Sequence, residues 1–290
     1  MEEIKRKIEQ LLLKTQKPAR YIGGEHGSVV KDKSEVDVRF AFCFPDVYDV
    51  GMSHLGMKIL YGLKNSVPNW WCERVFMPEK DFEAHMRENN IPLYALESLD
   101  PLTEFDFIGF TLQYELSYTN VLAMLDLAGL PIYAKDRKAL TPIVVGGGPC
   151  VCNPEPMADF FDLFIIGEGE EVNIELLSLY EKMKPCNPSK EEFLREAAKI
   201  EGIYVPSFYN VEYNGDGTVR SVTPNIPEAP ERVKKRVIRD FNRVYYPESF
   251  VVPFTGIVHD RAVVEVLRGC IRGCRFARQD LYTARSGKRI

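Results

Sequence analysis

Apolar runs of strand length alternate along the chain with patterns of helical period. Continuous apolar segments predict strands at 36–44, 74–77, 107–111, 143–146, 163–166 and 203–209. Helical spacing predicts an amphipathic helix within 1–20 and further helices at 54–65, 80–90, 117–128, 171–183 and 190–200. Strands separated by helices are joined by parallel crossovers, so we expect an α/β fold with a doubly wound, mostly parallel sheet.

Turn-forming residues, prolines and changes in the pattern divide the chain into five segments. The helix of 1–20 precedes an α/β domain over 21–223, which closes with a hairpin at the Asn-Gly-Asp-Gly run of 214–217. Prolines then indicate a surface linker over 224–261, whose basic stretch at 232–239 is interpreted as a solvated face because acidic residues flank it. A strand in 262–276 begins a second unit, and 277–290 forms a tail.

Four glycine-containing or polar loops follow predicted strands, at 46–56, 111–118, 146–149 and 167–170. The carboxyl ends of parallel strands share one edge of the sheet, which is where such folds bind ligands. Glycine lets the backbone approach a ligand closely, and free amides at helix starts donate to polar ligand groups. Any one of these glycine clusters could simply end a strand, but four on one edge predict a binding site.

Composition narrows the class of protein. The 290 residues are 45% hydrophobic and 27% charged with a net charge of −5, which is typical of a soluble globular protein and not of a general nucleic-acid or anionic-membrane binder. The longest apolar runs fall short of the ~18 residues of a spanning helix, and the N-terminus is charged. We therefore expect a cytoplasmic protein without a membrane partner; its substrate is not indicated.

The seven cysteines argue against a disulfide framework, because their number is odd and the expected compartment is reducing. Only Cys270 and Cys274 have the spacing and the glycine- and arginine-rich context of ligands. The run that contains them, AVVEVLRGCIRGCRF at 262–276, resembles the start of the radical SAM barrel. The resemblance implies a Cys-x3-Cys-x-aromatic-Cys motif whose thiolates hold a [4Fe–4S] cluster for S-adenosylmethionine, and here Ala277 occupies the third cysteine position.

The preceding domain is similar to the cobalamin-binding-type domain of B12-binding radical SAM proteins, with a flavodoxin-like or Rossmann-like fold. The resemblance rests on GFTLQYELSYTN, GGGP and GEGE, and it covers roughly residues 20–276. It implies cobalamin without its own lower base on cobalt, facing the cluster. The cofactor-binding residues carried over are Ser53, Leu55, Gly56, Thr111, Gln113, Tyr114, Gly146, Gly147, Gly148, Pro149, Gly167, Glu168 and Gly169, with His54 in the same loop.

His54 has the chemistry of a lower cobalt ligand, since imidazole binds such metals. The ligand motif of methionine-synthase-like corrinoid domains is Asp-x-His-x-x-Gly, however, and Met52 and Met57 replace its Asp and Gly. The carboxylate that would orient the ring is thus absent from the motif. We therefore favour His54 as a loop or helix-start residue over cobalt ligation.

Ala277 leads to a hypothesis about the tail. Family members continue after the third cysteine with Gln-Ala-Gly and later Tyr-Arg-Pro-Val-Arg-Glu, and a one-nucleotide shift of a suitable coding sequence converts that pattern into residues 277–288. On this hypothesis 277–290 is a frameshifted tail after the first strand of an incomplete barrel. The alternative is a basic segment that contacts phosphates, which the acidic balance of the chain disfavours.

These observations predict the N-terminal part of a cobalamin-dependent radical SAM enzyme that performs methyl transfer or another radical reaction. With two of three cluster ligands, this chain itself is expected to lack an intact cluster and to be inactive. The alternatives are a cobalamin-binding module without catalysis and a flavodoxin-like domain that binds flavin. The latter is disfavoured because no Ser/Thr-rich phosphate loop follows the first strand.

Overall fold

The computed structural model describes residues 2–269 and 287–288, and its centre is a six-stranded sheet with the order β2-β1-β3-β4-β5-β6. The sheet strands are β1 (Val38–Phe44), β2 (Trp70–Phe76), β3 (Phe107–Thr111), β4 (Ile143–Gly147), β5 (Leu163–Ile165) and β6 (Ile203–Tyr204). The helices are α1 (Glu2–Leu12), α2 (Tyr48–Gly51), α3 (Leu55–Asn65), α4 (Lys80–Glu88), α5 (Tyr118–Leu127), α6 (Gly169–Met183) and α7 (Lys190–Ala197). Short 3-10 turns connect several of these elements.

The predicted α/β class and mostly parallel sheet are confirmed. Strands β1 to β5 pair in parallel, and β6 adds to the β5 edge in the antiparallel sense. The order 2-1-3-4-5 is that of flavodoxin-like folds, in which the chain reverses its direction of travel between β1 and β3. Crossovers in opposite directions place helices on opposite faces, so α3 lies on one face and α4 and α5 on the other.

The buried core lies between these helices and the sheet. On the face of α3, helix α6 packs beside α3 and helix α7 packs beside α6. Phe107 contacts Tyr180 of α6 and Phe193 of α7 edge to face, at ring-centroid distances of 4.9 and 6.1 Å. On the other face Arg87 of α4 pairs with Asp126 of α5. Every residue of β2 and β3 is buried, so both faces of the sheet are covered.

Two predicted strands differ from those observed. Strand β2 begins at Trp70 rather than at 74, because buried ion pairs allow its charged residues Glu73 and Arg74 to lie inside the sheet. The strand predicted at 203–209 ends after Tyr204, because Pro206 starts a 3-10 turn. A separate hairpin follows, formed by β7 (Tyr209–Tyr213) and β8 (Val219–Pro224).

The segment predicted as a solvated surface linker contacts the α/β domain closely. Arg236 forms a parallel bridge with Gly167, and its guanidinium pairs with Glu171 and Glu175 of α6 at 2.8 and 2.6 Å. The prediction of a solvated basic face is therefore wrong at Arg236. The segment adds a short length of backbone beside the carboxyl end of β5.

The end of the described chain forms a small two-stranded sheet from β9 (Leu267–Arg268) and β10 (Gly287–Lys288). The predicted metal ligands Cys270 and Cys274, and Ala277, lie outside the described residues. The boundaries at 223, 261 and 276 remain predictions. No helix in the described ranges is both long enough and apolar enough to cross a membrane.

Candidate functional site

A cavity of about 420 Å³ opens at the carboxyl edge of the sheet, at the reversal point between β1 and β3. It extends between the sheet and the helices α3 and α6, where apolar side chains from both sides line it. Its size lies within the range of small-ligand sites, and an apolar lining with a few polar groups is typical of them. The sheet side is formed by Phe40, Phe42, Gly109, Phe110, Val145 and Ile165.

The structure brings most of the sequence-predicted cofactor residues to this one cavity. The loops after β1, β3, β4 and β5 contribute His54, Leu55, Gly56, Thr111, Gln113, Gly147, Gly148, Pro149, Gly167, Glu168 and Gly169. Three predicted residues, Ser53, Tyr114 and Gly146, do not line it. Their cofactor-binding role, like that of the others, stays a prediction.

The three exceptions have other contacts. The Ser53 hydroxyl donates to the Asp49 carbonyl at 2.7 Å, and the Tyr114 hydroxyl donates to the Asp46 carboxylate on the rim. Gly146 lies on the opposite face of β4, since a side chain there would meet Phe164 and Phe161. Its neighbour Gly147 shares the cavity face with Val145, as the two-residue period of a strand requires.

Two loop glycines are required by the backbone. Gly148 has φ +98°, and an added Cβ would lie 2.7 Å from the Leu112 carbonyl oxygen. Gly167 has φ +119°, and an added Cβ would lie 2.2 Å from the Arg236 carbonyl oxygen. Both values fall where residues with a side chain are strained. The glycines thus let two other backbone segments pass close to the cavity rim.

His54 caps helix α3 from the cavity wall. Its Nδ1 accepts a hydrogen bond from the Met57 amide at 3.1 Å, and Gln113 also hydrogen-bonds to the His54 side chain. Gln113 in turn donates to the Thr111 hydroxyl at 2.5 Å. Burial lowers the pKa of His54, which favours the neutral ring, and an accepting Nδ1 places the remaining proton on Nε2. In this arrangement neither ring nitrogen offers a free lone pair to a metal.

Lys64 is a cavity residue that sequence reasoning missed. Its side chain is 1% exposed, and its Nζ lies 4.4 and 4.7 Å from the ring centres of Phe40 and Phe42. Desolvation lowers the pKa of this ammonium to about 8. A lysine near a helix C-terminus is normally solvated and interacts favourably with the helix dipole. The sequence therefore does not indicate that Lys64 is buried.

The mouth of the cavity carries paired charges. Arg268 donates to Glu170 at 2.5 Å and to Glu265 at 2.7 Å, while Glu168 accepts a hydrogen bond from the Ile238 amide at 2.5 Å. Gly269, which directly precedes Cys270 in the sequence, also lines the cavity. The chain that leads into the cysteine motif therefore reaches the same opening as the four loops.

Within residues 2–269 and 287–288, no three His, Cys, Asp or Glu side chains cluster as metal ligands would. The described part of the cavity is lined by backbone amides, the amide side chains of Gln113 and Asn173, and the Lys64 ammonium, which are groups that bind organic ligands.

Residues 56–206, just over half of the chain, match the family described as radical SAM proteins, N-terminal. The chain belongs to this family. The matched region begins at Gly56 on the cavity rim and includes β2 to β6, so three of the four cavity loops belong to this radical SAM N-terminal region. Radical SAM proteins as a family use S-adenosylmethionine and an iron–sulfur cluster.

A relative of this radical SAM chain is the uncharacterized protein MJ0966 of Methanocaldococcus jannaschii. The two are 32% identical over 195 residues, which is 66% of this chain and 34% of the relative. The match thus spans about a third of the relative's length. No solved structure matches the chain.

Proposed function

We propose that this chain is the N-terminal part of a cobalamin-dependent radical SAM enzyme and that the sheet-edge cavity holds part of the cobalamin. The observation that carries the proposal is the convergence of four loops and the approach to Cys270 on one opening. A site of this kind would bring a cofactor on the sheet edge toward the cysteine motif. Cobalamin, when bound, supplies a cobalt centre for methyl transfer or radical chemistry.

The residues present fit such a cofactor. A cavity of about 420 Å³ admits one fused-ring fragment with its substituents, and a larger macrocycle would extend over the open rim. Gly147, Gly148 and Gly169 present backbone to that rim without side chains in the way, and Gln113 and Asn173 offer amide groups. His54 would remain a helix cap, consistent with a cobalamin whose cobalt takes no ligand from this chain.

Titration with hydroxocobalamin, followed by visible absorbance, tests the proposal. Gly147→Val is the informative variant, because Gly147 lines the cavity, has an ordinary φ and has open space where its Cβ would be. Gly215→Val in the β7–β8 hairpin is the matched control, since its Cβ would also meet nothing. Saturable binding to wild type and Gly215→Val, with loss in Gly147→Val, would support the cavity as the site. Equal binding by all three would place cobalamin elsewhere.

Of the two alternative functions, this experiment separates only a flavin site from the proposal. A binding module without catalysis would bind cobalamin in the same way, and only a reaction assay would separate it from an enzyme part. A flavin site would bind FMN and not hydroxocobalamin. The reversal point of this strand order suits either cofactor, so FMN and hydroxocobalamin should both be titrated.

We further propose that this polypeptide does not itself cleave S-adenosylmethionine. Cys270 and Cys274 supply two thiolates, and Ala277 stands where the family motif has its third. Cubane clusters of this type need three protein thiolates to stay bound at three irons.

A further inference from the structure

The deep end of the cavity holds a buried ammonium, that of Lys64. Lys64 lies on α3, one turn beyond Leu60, and both line the cavity. Its ammonium faces the rings of Phe40 and Phe42 and makes no hydrogen bond or ion pair with another described residue. Burying an ammonium without an anionic partner is costly, so its presence needs an explanation other than stability.

The acidic residues near the opening do not provide that partner. Glu170 and Glu265 both accept hydrogen bonds from Arg268. Glu168 accepts one from the Ile238 amide and lies 3.6 Å from Arg268. The three carboxylates at the mouth thus hydrogen-bond to Arg268 or to the Ile238 amide, and among the described residues none of them forms an ion pair with the Lys64 ammonium. Glu170 is still near enough to favour the charged form of Lys64.

The rest of the deep cavity is apolar. Phe40, Phe42, Ile59 and Val145 surround the space above Lys64, and Gly109 allows the Phe40 ring to lie flat against β3. An aromatic or aliphatic body would gain from burial there, and an anion at its end would gain a charge-assisted contact in a low-dielectric setting.

We propose that the Lys64 ammonium is the charge partner for an anionic group, such as a phosphate, sulfonate or carboxylate, on a ligand whose aromatic or apolar body fills the cavity. This inference rests on the proposal that the cavity admits a ligand, and it specifies the charge that the ligand carries into it. A phosphate-bearing cofactor fragment and a free aromatic acid share this chemistry.

A pair of fluorescent probes tests the inference. 8-Anilinonaphthalene-1-sulfonate carries an anion on two aromatic ring systems, and N-phenyl-1-naphthylamine has the same rings without the sulfonate. Both are titrated into wild type, Lys64→Met and Lys58→Met. Lys58 lies on the same helix but outside this cavity. Lys58→Met is therefore the matched control, because it removes one positive charge from the helix without changing the cavity lining.

We expect Lys64→Met to weaken binding of the sulfonate by about tenfold or more and to change binding of the neutral probe by less than about twofold. Lys58→Met should change neither. Near-ultraviolet circular dichroism checks that each variant keeps its packed core. Competition of the sulfonate by inorganic phosphate in wild type, but not in Lys64→Met, would further support an anion site.

Unchanged sulfonate affinity in Lys64→Met, or equal loss of both probes, would overturn the inference. Absence of saturable binding of both probes to wild type would overturn it together with the cavity as a ligand site. If the probes behave as expected and hydroxocobalamin neither binds nor displaces them, Lys64 is supported as an anion-binding residue and the cobalamin proposal is wrong.

Discussion

Lys64 has a measurable effect on stability as well as on binding. Burial lowers its pKa from an ordinary 10.5 to about 8, which corresponds to a cost of about 3 kcal/mol for keeping the charged form inside the folded protein. We therefore expect Lys64→Met, which keeps an unbranched side chain but removes the charged end, to raise the free energy of unfolding at pH 7 by a few kcal/mol. Urea denaturation measures this, and a destabilised variant would contradict the assignment.

The same group predicts a pH dependence of stability. Between pH 8 and 10.5 the unfolded chain binds more protons at Lys64 than the folded protein does. The contribution of Lys64 to the free energy of unfolding therefore rises with pH over this range. Its titratable neighbours are Cys72, whose pKa burial raises to about 12, and Glu170, which is paired with Arg268. We expect the difference in the free energy of unfolding between Lys64→Met and wild type to have its largest value below pH 8 and to disappear above pH 10.5. A constant difference across that range would contradict this prediction.

His54 provides a second test at the level of one residue. Its Nδ1 caps α3, so His54→Ala should cost about 1 kcal/mol, whereas His54→Asn should retain most of the cap. If cobalamin binds, its visible spectrum should be the same in wild type and His54→Asn. A spectral change confined to the variants would indicate cobalt ligation by this histidine.

At the scale of elements, the close contact between the loop after β5 and the 224–261 segment depends on Gly167. A side chain at Gly167 would overlap the Arg236 carbonyl and require a strained φ. We expect Gly167→Ala to destabilise the protein by at least about 1–3 kcal/mol and to expose the Lys235–Arg236 peptide bond to trypsin. Gly215→Ala, with an ordinary φ and open space, is the control. Equal trypsin sensitivity of the two variants would argue against a tight contact.

Local patterns were sufficient for some elements and insufficient for others. Strand β3 was predicted at its observed bounds, where five apolar or small residues follow the polar Asp106 and precede the loop that contains Gln113. Strand β2 was predicted to begin too late because Glu73 is a buried carboxylate, and its partner Arg39 comes from a strand distant in sequence. The cavity rim was predictable because glycine marks strand ends, whereas Lys64 and the contact of Arg236 depend on three-dimensional neighbours.

For the whole molecule, the cluster motif gives a direct prediction. Anaerobic reconstitution of wild type with iron and sulfide should yield no stable [4Fe–4S] spectrum, because Cys270 and Cys274 supply only two thiolates. Ala277→Cys restores the third ligand position and should increase cluster retention, while Ala277→Ser should not. A stable cluster in wild type would contradict the proposal that this chain lacks a functional motif.

At the scale of the whole molecule, we propose that one cavity, built by four loops at the sheet edge, is the cofactor site of this radical SAM N-terminal chain. A crystal structure of the protein with hydroxocobalamin tests this proposal most directly. We expect electron density that enters the cavity between α3 and the sheet, contacts the loops at Gly147–Gly148 and Gly167–Gly169, and leaves His54 hydrogen-bonded to Met57. Density at any other surface, or a cavity that stays empty in protein saturated with the cofactor, would contradict it.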